Sequence, residues 1–533
     1  MCLTGHAAGV RTNQEWEFKM YIGTRAAETP DKPAVILART GESVSYRELD
    51  NASMQVAQML HARGLRRGDT IAIYMENHLR YMEVVWAAYR SGLLIATVNR
   101  YLKAPEVAYI VKDSGARFVF TSIARAEEAA MLPSLVPEGT QLLMVGGVLP
   151  GWSSYETALA PFPAERLAEE WMGAVLNYTS GTTGKPRGVL RALPELHASD
   201  MWPTWEETGK IYGFHRDMVT LCPAPLYHGA PMRSVRPAHM AGGTVVLMEK
   251  FDASEALRLI EKYRVTHTQW VPTMFVRMLR LSEEERRRYD LSSQQCAVHA
   301  AAPCSISVKR QMIAWWGPIL HEYYGATDSA GGTFISCEEW LAHPGSVGKA
   351  PSTLHVCDEA GVELPQGETG LLYFAGRQPL PEYLNDPVKT RESRHPARED
   401  WVCVGDVGYV DAAGYLFLTD RKSFTIISGG VNIYPKAIEE VLESHPAVAD
   451  VAVFGVPNDE MGEEVKAVVE LLPNMEPSDD LARTLIAFAA SRLAPYMVPR
   501  SLEFSPELPR SPTGKLMKKP LRDAYWQGRT LVS

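Results

Sequence analysis

Cysteine is scarce. The 533 residues hold seven, at Cys2, Cys222, Cys296, Cys304, Cys337, Cys357 and Cys403, with no Cys-x-x-Cys pair. A scattered, odd set excludes a disulfide framework or a zinc knuckle and fits a reducing compartment. Excess positive charge is missing too: 54 Lys and Arg face 63 Asp and Glu, a net charge of −9. Such a chain gains no long-range attraction for nucleic acid or an anionic membrane, so a polyanionic ligand must be held by local groups. No run of 18 uncharged apolar residues occurs, and no membrane span is expected. Residues 1–17 lack the apolar core of a signal peptide. Thr530-Leu531-Val532-Ser533 matches no common address signal, and the expected location is cytoplasmic. Gly (40) and Pro (36) stay below the low-complexity range, and no internal repeat is visible. Disordered, collagenous and coiled-coil chains are thereby excluded.

What is present is an alternation of helix-like and strand-like stretches. Helical spacing runs over 46–63, with Leu49, Met54, Val56, Met59 and Leu60 apolar, and Gly64 stops it. Strands at 70–75, 93–98 and 116–121 alternate with helices at 79–90 and 105–113. This predicts a doubly wound, largely parallel sheet. A strand at 243–248 precedes Phe251-Asp252-Ala253-Ser254, where Asp252 or Ser254 caps a helix. Ser282-Glu283-Glu284-Glu285 reads as a capping box, and Arg286-Arg287-Arg288 as a solvated face paired with Glu at four-residue spacing. From Pro344 short strands and Gly-rich turns suggest a β-rich subdomain. The tail after Asp420-Arg421 reads as helix 435–443, strands 448–456 and 465–472, helix 481–493 and strand 501–504. The expected fold is α/β. A large N-terminal domain (1–420) of doubly wound sheets with a β-rich subdomain is followed by a small mobile α+β C-terminal domain (421–533).

The sharpest local signal is Tyr178-Thr179-Ser180-Gly181-Thr182-Thr183-Gly184-Lys185-Pro186-Arg187-Gly188-Val189. Its glycines let the backbone approach a ligand and expose N–H groups. The hydroxyls of Thr179, Ser180, Thr182 and Thr183 add donors, and Lys185 adds a positive charge, the chemistry a triphosphate needs. It is not a Walker A loop: two residues separate Gly181 from Gly184, and Pro186 stands where Ser or Thr should follow the Lys.

With the motifs that follow it in order, this string resembles the adenylate-forming superfamily over about residues 28–519. That superfamily holds acyl-CoA synthetases, nonribosomal-peptide adenylation domains and beetle luciferases. By that resemblance Tyr323-Tyr324-Gly325-Ala326-Thr327-Asp328 is the adenine and magnesium motif. Asp328 would reach Mg²⁺ where most members carry Glu. Ala301-Ala302-Pro303 flanks the adenine, with Ala where Gly is usual. Asp406 and Arg421 form the ribose-binding pair, and Gly429 and Gly430 line a CoA tunnel. Ser423 is the hinge, where Asp or Lys is usual, and Phe424 follows it. Lys515 in Pro509-Arg510-Ser511-Pro512-Thr513-Gly514-Lys515 is the terminal catalytic lysine. His228 in Pro225-Leu226-Tyr227-His228-Gly229-Ala230 gates the acyl pocket. Thr182 stands with Lys515 and His228 among the expected catalytic groups. Tyr227, His228, Met232, Trp270, Met274 and Phe275 are candidate pocket walls that would serve equally as core. Phe251-Asp252-Ala253-Ser254 resembles an amine-gripping motif but lies some twenty residues too late, which disfavours an amino-acid substrate.

The resemblance implies two half-reactions with ATP, Mg²⁺ and CoA. A hydrophobic carboxylic acid, fatty or bulky and cyclic, becomes acyl-AMP and then a thioester. An amide-forming synthetase and a non-catalytic nucleotide sensor are the rival readings. No nucleic-acid partner is expected, and a homodimer is left open.

Overall fold

The computed structural model describes residues 21–179, 186–200, 203–326, 330–376, 379–429, 431–473, 475–510 and 516–527. The β–α–β alternation of the first half builds two sheets, not one. One eight-stranded sheet runs Gly332–Ile335, Leu320–Gly325, Cys296–His299, His267–Trp270, Val219–Cys222, Thr244–Leu247, Pro33–Leu37, Ser43–Ser45. The other runs Glu382–Tyr383, Arg187–Leu190, Ala174–Thr179, Leu94–Thr97, Thr70–Tyr74, Phe118–Ser122, Gln141–Val145, Ser153–Ser154. Both are parallel in the middle and antiparallel at one or both edges. Their central strands are buried on both faces, which is why they read as short apolar runs. The strand Pro33–Leu37 crosses the expected order by pairing with Thr244–Leu247 far along the chain. Local pattern carries no information about such a partner.

The β-rich stretch after Pro344 is an antiparallel sheet built on Gly370–Ala375, Arg398–Val410 and Tyr415–Arg421. After Arg421 the chain leaves that sheet through a short turn of helix, Lys422–Phe424. It then enters a fourth sheet containing Ile426–Ser428, Val431–Ile433, Val448–Asn458, Gly462–Leu471 and Ser501–Phe504. That sheet has its own apolar core around Ile438, Leu442, Val453, Ala467 and Leu485.

Helix ends follow the expected chemistry with two corrections. Asp252, not Ser254, caps Ala253–Lys262, accepting the Glu255 N–H at 2.8 Å. Ser282 accepts the Glu285 N–H at 3.1 Å, but the Glu285 carboxylate is taken by Ser254 and by Tyr289, so the reciprocal half of the box is absent. Ser45 and Glu48, which the sequence reading passed over, make the complete box that starts Tyr46–Ala62. In the Arg triplet, Arg287 pairs with Glu283 at four-residue spacing (2.6 Å) and Arg288 with Glu285 at three. Arg286 instead lies over the Trp315 ring, its guanidinium carbon 5.7 Å from the centroid.

The two large sheets are locked by helix Gly229–Ala241. His239 on it is fully buried, with Nδ1 3.2 Å from the Trp86 indole nitrogen and Nε2 3.1 Å from the Ala34 carbonyl. The indole only donates, so Nδ1 must accept and Nε2 carries the proton. Burial pushes His239 down to about 4 from its ordinary 6.5. Between these values the unfolded chain binds a proton that the folded chain refuses, so stability falls as pH drops through this window. The stability advantage of wild type over H239Q should be fully present above pH 6.5. It should shrink by up to about 1.4 kcal/mol per pH unit toward pH 4. Denaturant melts of both proteins across that range check it; a pH-independent difference would contradict the neutral buried ring.

Candidate active site

The strands Ala174–Thr179 and Arg187–Leu190 form an antiparallel pair in which Thr179 faces Arg187. The threonine-rich loop therefore leaves and rejoins the sheet at a single rung. Arg187 is anchored by Asp386 (3.1 Å), and the Tyr178 hydroxyl donates to Asp113 (2.8 Å). Ser180, Gly181, Thr182, Thr183, Gly184 and Lys185 lie outside the described residues, as do Thr327, Asp328, Gly430 and Lys515.

The structure joins the adenine and ribose motifs through one carboxylate. Strand alternation sends Tyr323 and Tyr324 to opposite faces. The Tyr324 hydroxyl donates to Asp406 Oδ2 at 2.6 Å, and Arg421 Nε stands 3.0 Å from Asp406 Oδ1. Asp406 and Arg421 are register partners across neighbouring strands. A carboxylate has lone pairs beyond these two bonds, so Asp406 keeps capacity for further donors. Burial and the Asp406 charge raise the Tyr324 phenol, which stays protonated and donating. Tyr323 turns the other way and accepts from Gln269 Nε2 at 3.1 Å. Gln269 had no signature in the sequence: a single amide in a short strand.

Beneath this motif is a buried charged group that the sequence reading also missed. Lys309 Nζ donates to Glu322 Oε2 at 2.6 Å, and His299 Nε2 lies 3.4 Å from the same oxygen. His299 and Glu322 sit two residues before Ala301 and Tyr324 respectively, so this cluster underpins both loops. Ala301 itself has φ +74°, a left-handed conformation that glycine takes without penalty and alanine does not. The Ala-for-Gly departure is thus a strained residue held at the loop.

At the acyl corner the rings of Tyr227 and His228 stand 4.3 Å apart. The Tyr227 hydroxyl and His228 Nε2 are shut off from solvent and have no hydrogen-bond partner among the described residues. Burial pushes His228 down to about 4, so its ring is neutral. Of the other candidate walls, Trp270, Met274 and Phe275 close a core cluster with Trp316, and Met232 packs into the core between the large sheets.

Ser423 and Phe424 are engaged by the last helix, Lys518–Tyr525. Arg522 Nη1 donates to the Ser423 carbonyl at 2.7 Å. The Lys518 and Arg522 cations lie 5.7 and 5.8 Å from the Phe424 ring centroid. Gly429 has φ +58°, a left-handed conformation that favours glycine, and a Cβ there would displace the flexible end of Met461, whose methyl would lie 2.5 Å away. The loop carrying Lys515 is closed at its base by a bridge between Arg510 and Leu516 and by the Met517 N–H on the Pro509 carbonyl (2.8 Å). Among the described residues no cluster of three His, Cys, Asp or Glu could cage a metal, and no helix is long and apolar enough to cross a membrane.

Two large sheets, a β-rich subdomain, a small α/β lobe and an Asp–Arg–Tyr cradle between them define a nucleotide-binding enzyme. The AMP-binding enzyme family matches residues 23–384, and the AMP-binding enzyme C-terminal domain matches 437–515. The chain belongs to this family, the adenylate-forming ligases. It is 32% identical over 517 residues to a fatty acid–acyl-carrier-protein ligase of Streptomyces coeruleorubidus, covering 94% of this chain and 95% of the relative. It is 30% identical to a long-chain-fatty-acid–CoA ligase of Mycobacterium tuberculosis, covering 94% and 97%. An amide bond synthetase of Marinactinospora thermotolerans superposes with a TM-score of 0.80 at 25% identity, covering 95% of this chain and 100% of that one.

Y324F removes one charge-assisted hydrogen bond and leaves Asp406 paired with Arg421. We expect AMP affinity to fall about tenfold, near 1.5 kcal/mol, with little change in melting temperature. Calorimetric titration with AMP measures it; unchanged affinity would show that the hydroxyl does not shape the nucleotide site.

Proposed function

We propose that the protein condenses a hydrophobic carboxylic acid with ATP to give acyl-AMP and pyrophosphate, then transfers the acyl group to the thiol of CoA. The observation that carries this reading is the Asp406–Arg421–Tyr324 cradle, which links the two nucleotide motifs in one place. The long-chain-fatty-acid–CoA ligase among its relatives supports the acid and the acceptor.

In the first step a carboxylate oxygen attacks the α-phosphorus, and the bond to the bridging oxygen breaks, releasing pyrophosphate. Little covalent chemistry falls to the protein; positioning and charge neutralisation do the work. Asp406 would accept from the ribose hydroxyls with Arg421 supporting it. The hydroxyls of Thr179, Ser180, Thr182 and Thr183, the backbone at Gly181 and Gly184, and Lys185 would hold the β- and γ-phosphates. Ala301, Tyr323, Tyr324, Gly325 and Thr327 would frame the base and α-phosphate. Mg²⁺ would be held by oxygens of the triphosphate with Asp328, and would supply charge neutralisation. The neutral His228 ring, its Nε2 unpartnered among the described residues, would close the carboxylate end of the acyl site. Lys515 would bridge carboxylate and α-phosphate.

In the second step the small lobe, 421–533, turns about Ser423, Lys515 leaves, and the CoA thiol enters along Gly429 and Gly430. The thiol sulfur bonds to the acyl carbon, AMP leaves, and the thiol proton goes to solvent or to the leaving phosphate. The Ser423–Phe424 departure, with the amide bond synthetase among the structural neighbours, favours a second reading in which an amine takes the thiol's place. The acyl-carrier-protein ligase adds a third acceptor, a carrier-bound thiol.

Lys515→Ala should abolish pyrophosphate release, by at least about 10²-fold, while preformed acyl-AMP is still converted to thioester. Pyrophosphate release and product mass with CoA, a carrier protein or free amines separate the readings. Full adenylation by the variant would refute the role of Lys515.

A further inference from the structure

The segment 223–228 joins strand Val219–Cys222 to helix Gly229–Ala241 without regular structure. Buried backbone outside a ladder must satisfy its polar groups by other means. Here side chains from the opposite large sheet do so. Asn77, 4% exposed, donates through Nδ2 to the carbonyls of Ala224 (3.1 Å) and Met248 (2.7 Å) and accepts the Leu226 N–H at 2.8 Å. Thr97, 3% exposed, donates its hydroxyl to the Tyr227 carbonyl at 2.8 Å. Thr97 ends its strand, and its partner on the next strand is Asn177, two residues before Thr179. Asn177 in turn lies against Gly229: a Cβ built there would stand 3.4 Å from Asn177 Oδ1. One rung of sheet therefore touches both the strand entering the threonine-rich loop and the corner that carries His228.

We propose that Thr97 and Asn177 are positioning residues for adenylation, setting the distance between the strand that delivers the phosphate loop and the Tyr227–His228 corner that holds the substrate carboxylate. The proposal rests on the ligase reading of the site. The nucleophile and the α-phosphorus must meet at about 3–3.5 Å. ATP is gripped by a loop of one sheet and the acid by a corner of the other, so any slip between the sheets passes directly into the attack distance. Asn77 anchors the inner half of the corner. Thr97 and Asn177 tie its outer half to the strand that matters for the phosphates.

The test compares T97V, which keeps shape but loses the hydroxyl, with T97S, which keeps the hydroxyl. ATP–pyrophosphate exchange is measured with an acid the wild type accepts, and amide hydrogen exchange is followed over 223–230. In T97V the exchange kcat should fall roughly 10- to 100-fold, the scale of a misplacement of 1 Å or less. KM for ATP should stay within about twofold, the signature of lost transition-state positioning and not of lost ATP binding. The corner amides should exchange faster, and T97S should recover most of the rate and protection. Wild-type kcat and protection in T97V, equal impairment of T97S, or a loss carried by KM for ATP would overturn the proposal. If T97V does not fold, N177A, on a half-buried side chain, carries the test, and an undiminished kcat overturns it. If the wild type exchanges with no acid, the ligase reading fails instead, and the amide-exchange arm still decides whether Thr97 holds the corner.

Discussion

One carboxylate, Asp406, is where the architecture converges. It sits on the long strand of the β-rich sheet and is 6% exposed. Its two oxygens are engaged by Arg421, at the end of the neighbouring strand, and by Tyr324, from the strand next to the edge of a large sheet. A charge buried to that degree is costly unless paired and hydrogen-bonded. The pairing therefore constrains three stretches of chain at once: the adenine motif, the β-rich subdomain and the last strand before the small lobe. Each partner engages one oxygen, so losing one still leaves the carboxylate paired through the other.

The next residue after Arg421 begins the passage to the small lobe, and the contacts there are also ionic. Asp420 accepts the Lys436 N–H at 3.2 Å, at the start of helix Pro435–Glu443, where a carboxylate also favours the positive end of the helix dipole. Lys518 bridges Asp420 (3.9 Å) and Glu439 (2.7 Å). On the far side, Arg280 of the large lobe meets the Ala449 carbonyl and the Glu470 carboxylate at 3.5 and 3.8 Å. Between them Glu443 is pushed up to about 8 by burial and by the charges of Glu439 and Glu440. The long, partly solvated Arg280 contacts are individually weak, whereas the Lys518–Glu439 pair is short and buried, and the two cations near the Phe424 ring and the Arg522 bond to the Ser423 carbonyl are local. Ser423 and Phe424, expected at the hinge, are thus both engaged by the last helix.

The fold was legible in the sequence wherever a pattern is local. Tyr46–Ala62, Pro435–Glu443 and Ser501–Phe504 lie within a residue of their expected ranges because amphipathic spacing, a cap or a short β-rich run defines each. The division of the first half into two sheets was not legible, because it depends on Pro33–Leu37 choosing a partner far away. The resemblance to the adenylate-forming superfamily marked Asp406, Arg421, Tyr324 and His228 as site candidates. They could not find Gln269, Asn77, Thr97 or the Lys309–Glu322–His299 cluster. Each of these is an ordinary residue in an ordinary element, and its meaning arises only from what the other sheet brings against it.

Those inconspicuous residues share a position: they sit at the roots of the chemical loops. Thr179 faces Arg187 where the threonine-rich loop leaves its sheet; Gln269 braces Tyr323 before segment 325–328; Thr97 holds Tyr227 before His228; Arg510 bridges Leu516 below the segment carrying Lys515. A scaffold that fixes the roots determines where the loop tips meet without dictating which acid or acceptor they meet around. A change of acid or acceptor can then be made in the tips and pocket walls while the bonds at the roots stay. A carrier-protein ligase, a CoA ligase and an amide bond synthetase all align along nearly the whole of this chain, at 32%, 30% and 25% identity. In this chain hydrogen bonds between the two large sheets, from Thr97 to the Tyr227 carbonyl and from Asn77 to the Ala224 carbonyl, fix the roots on which the proposed placement of ATP against a carboxylate would rest.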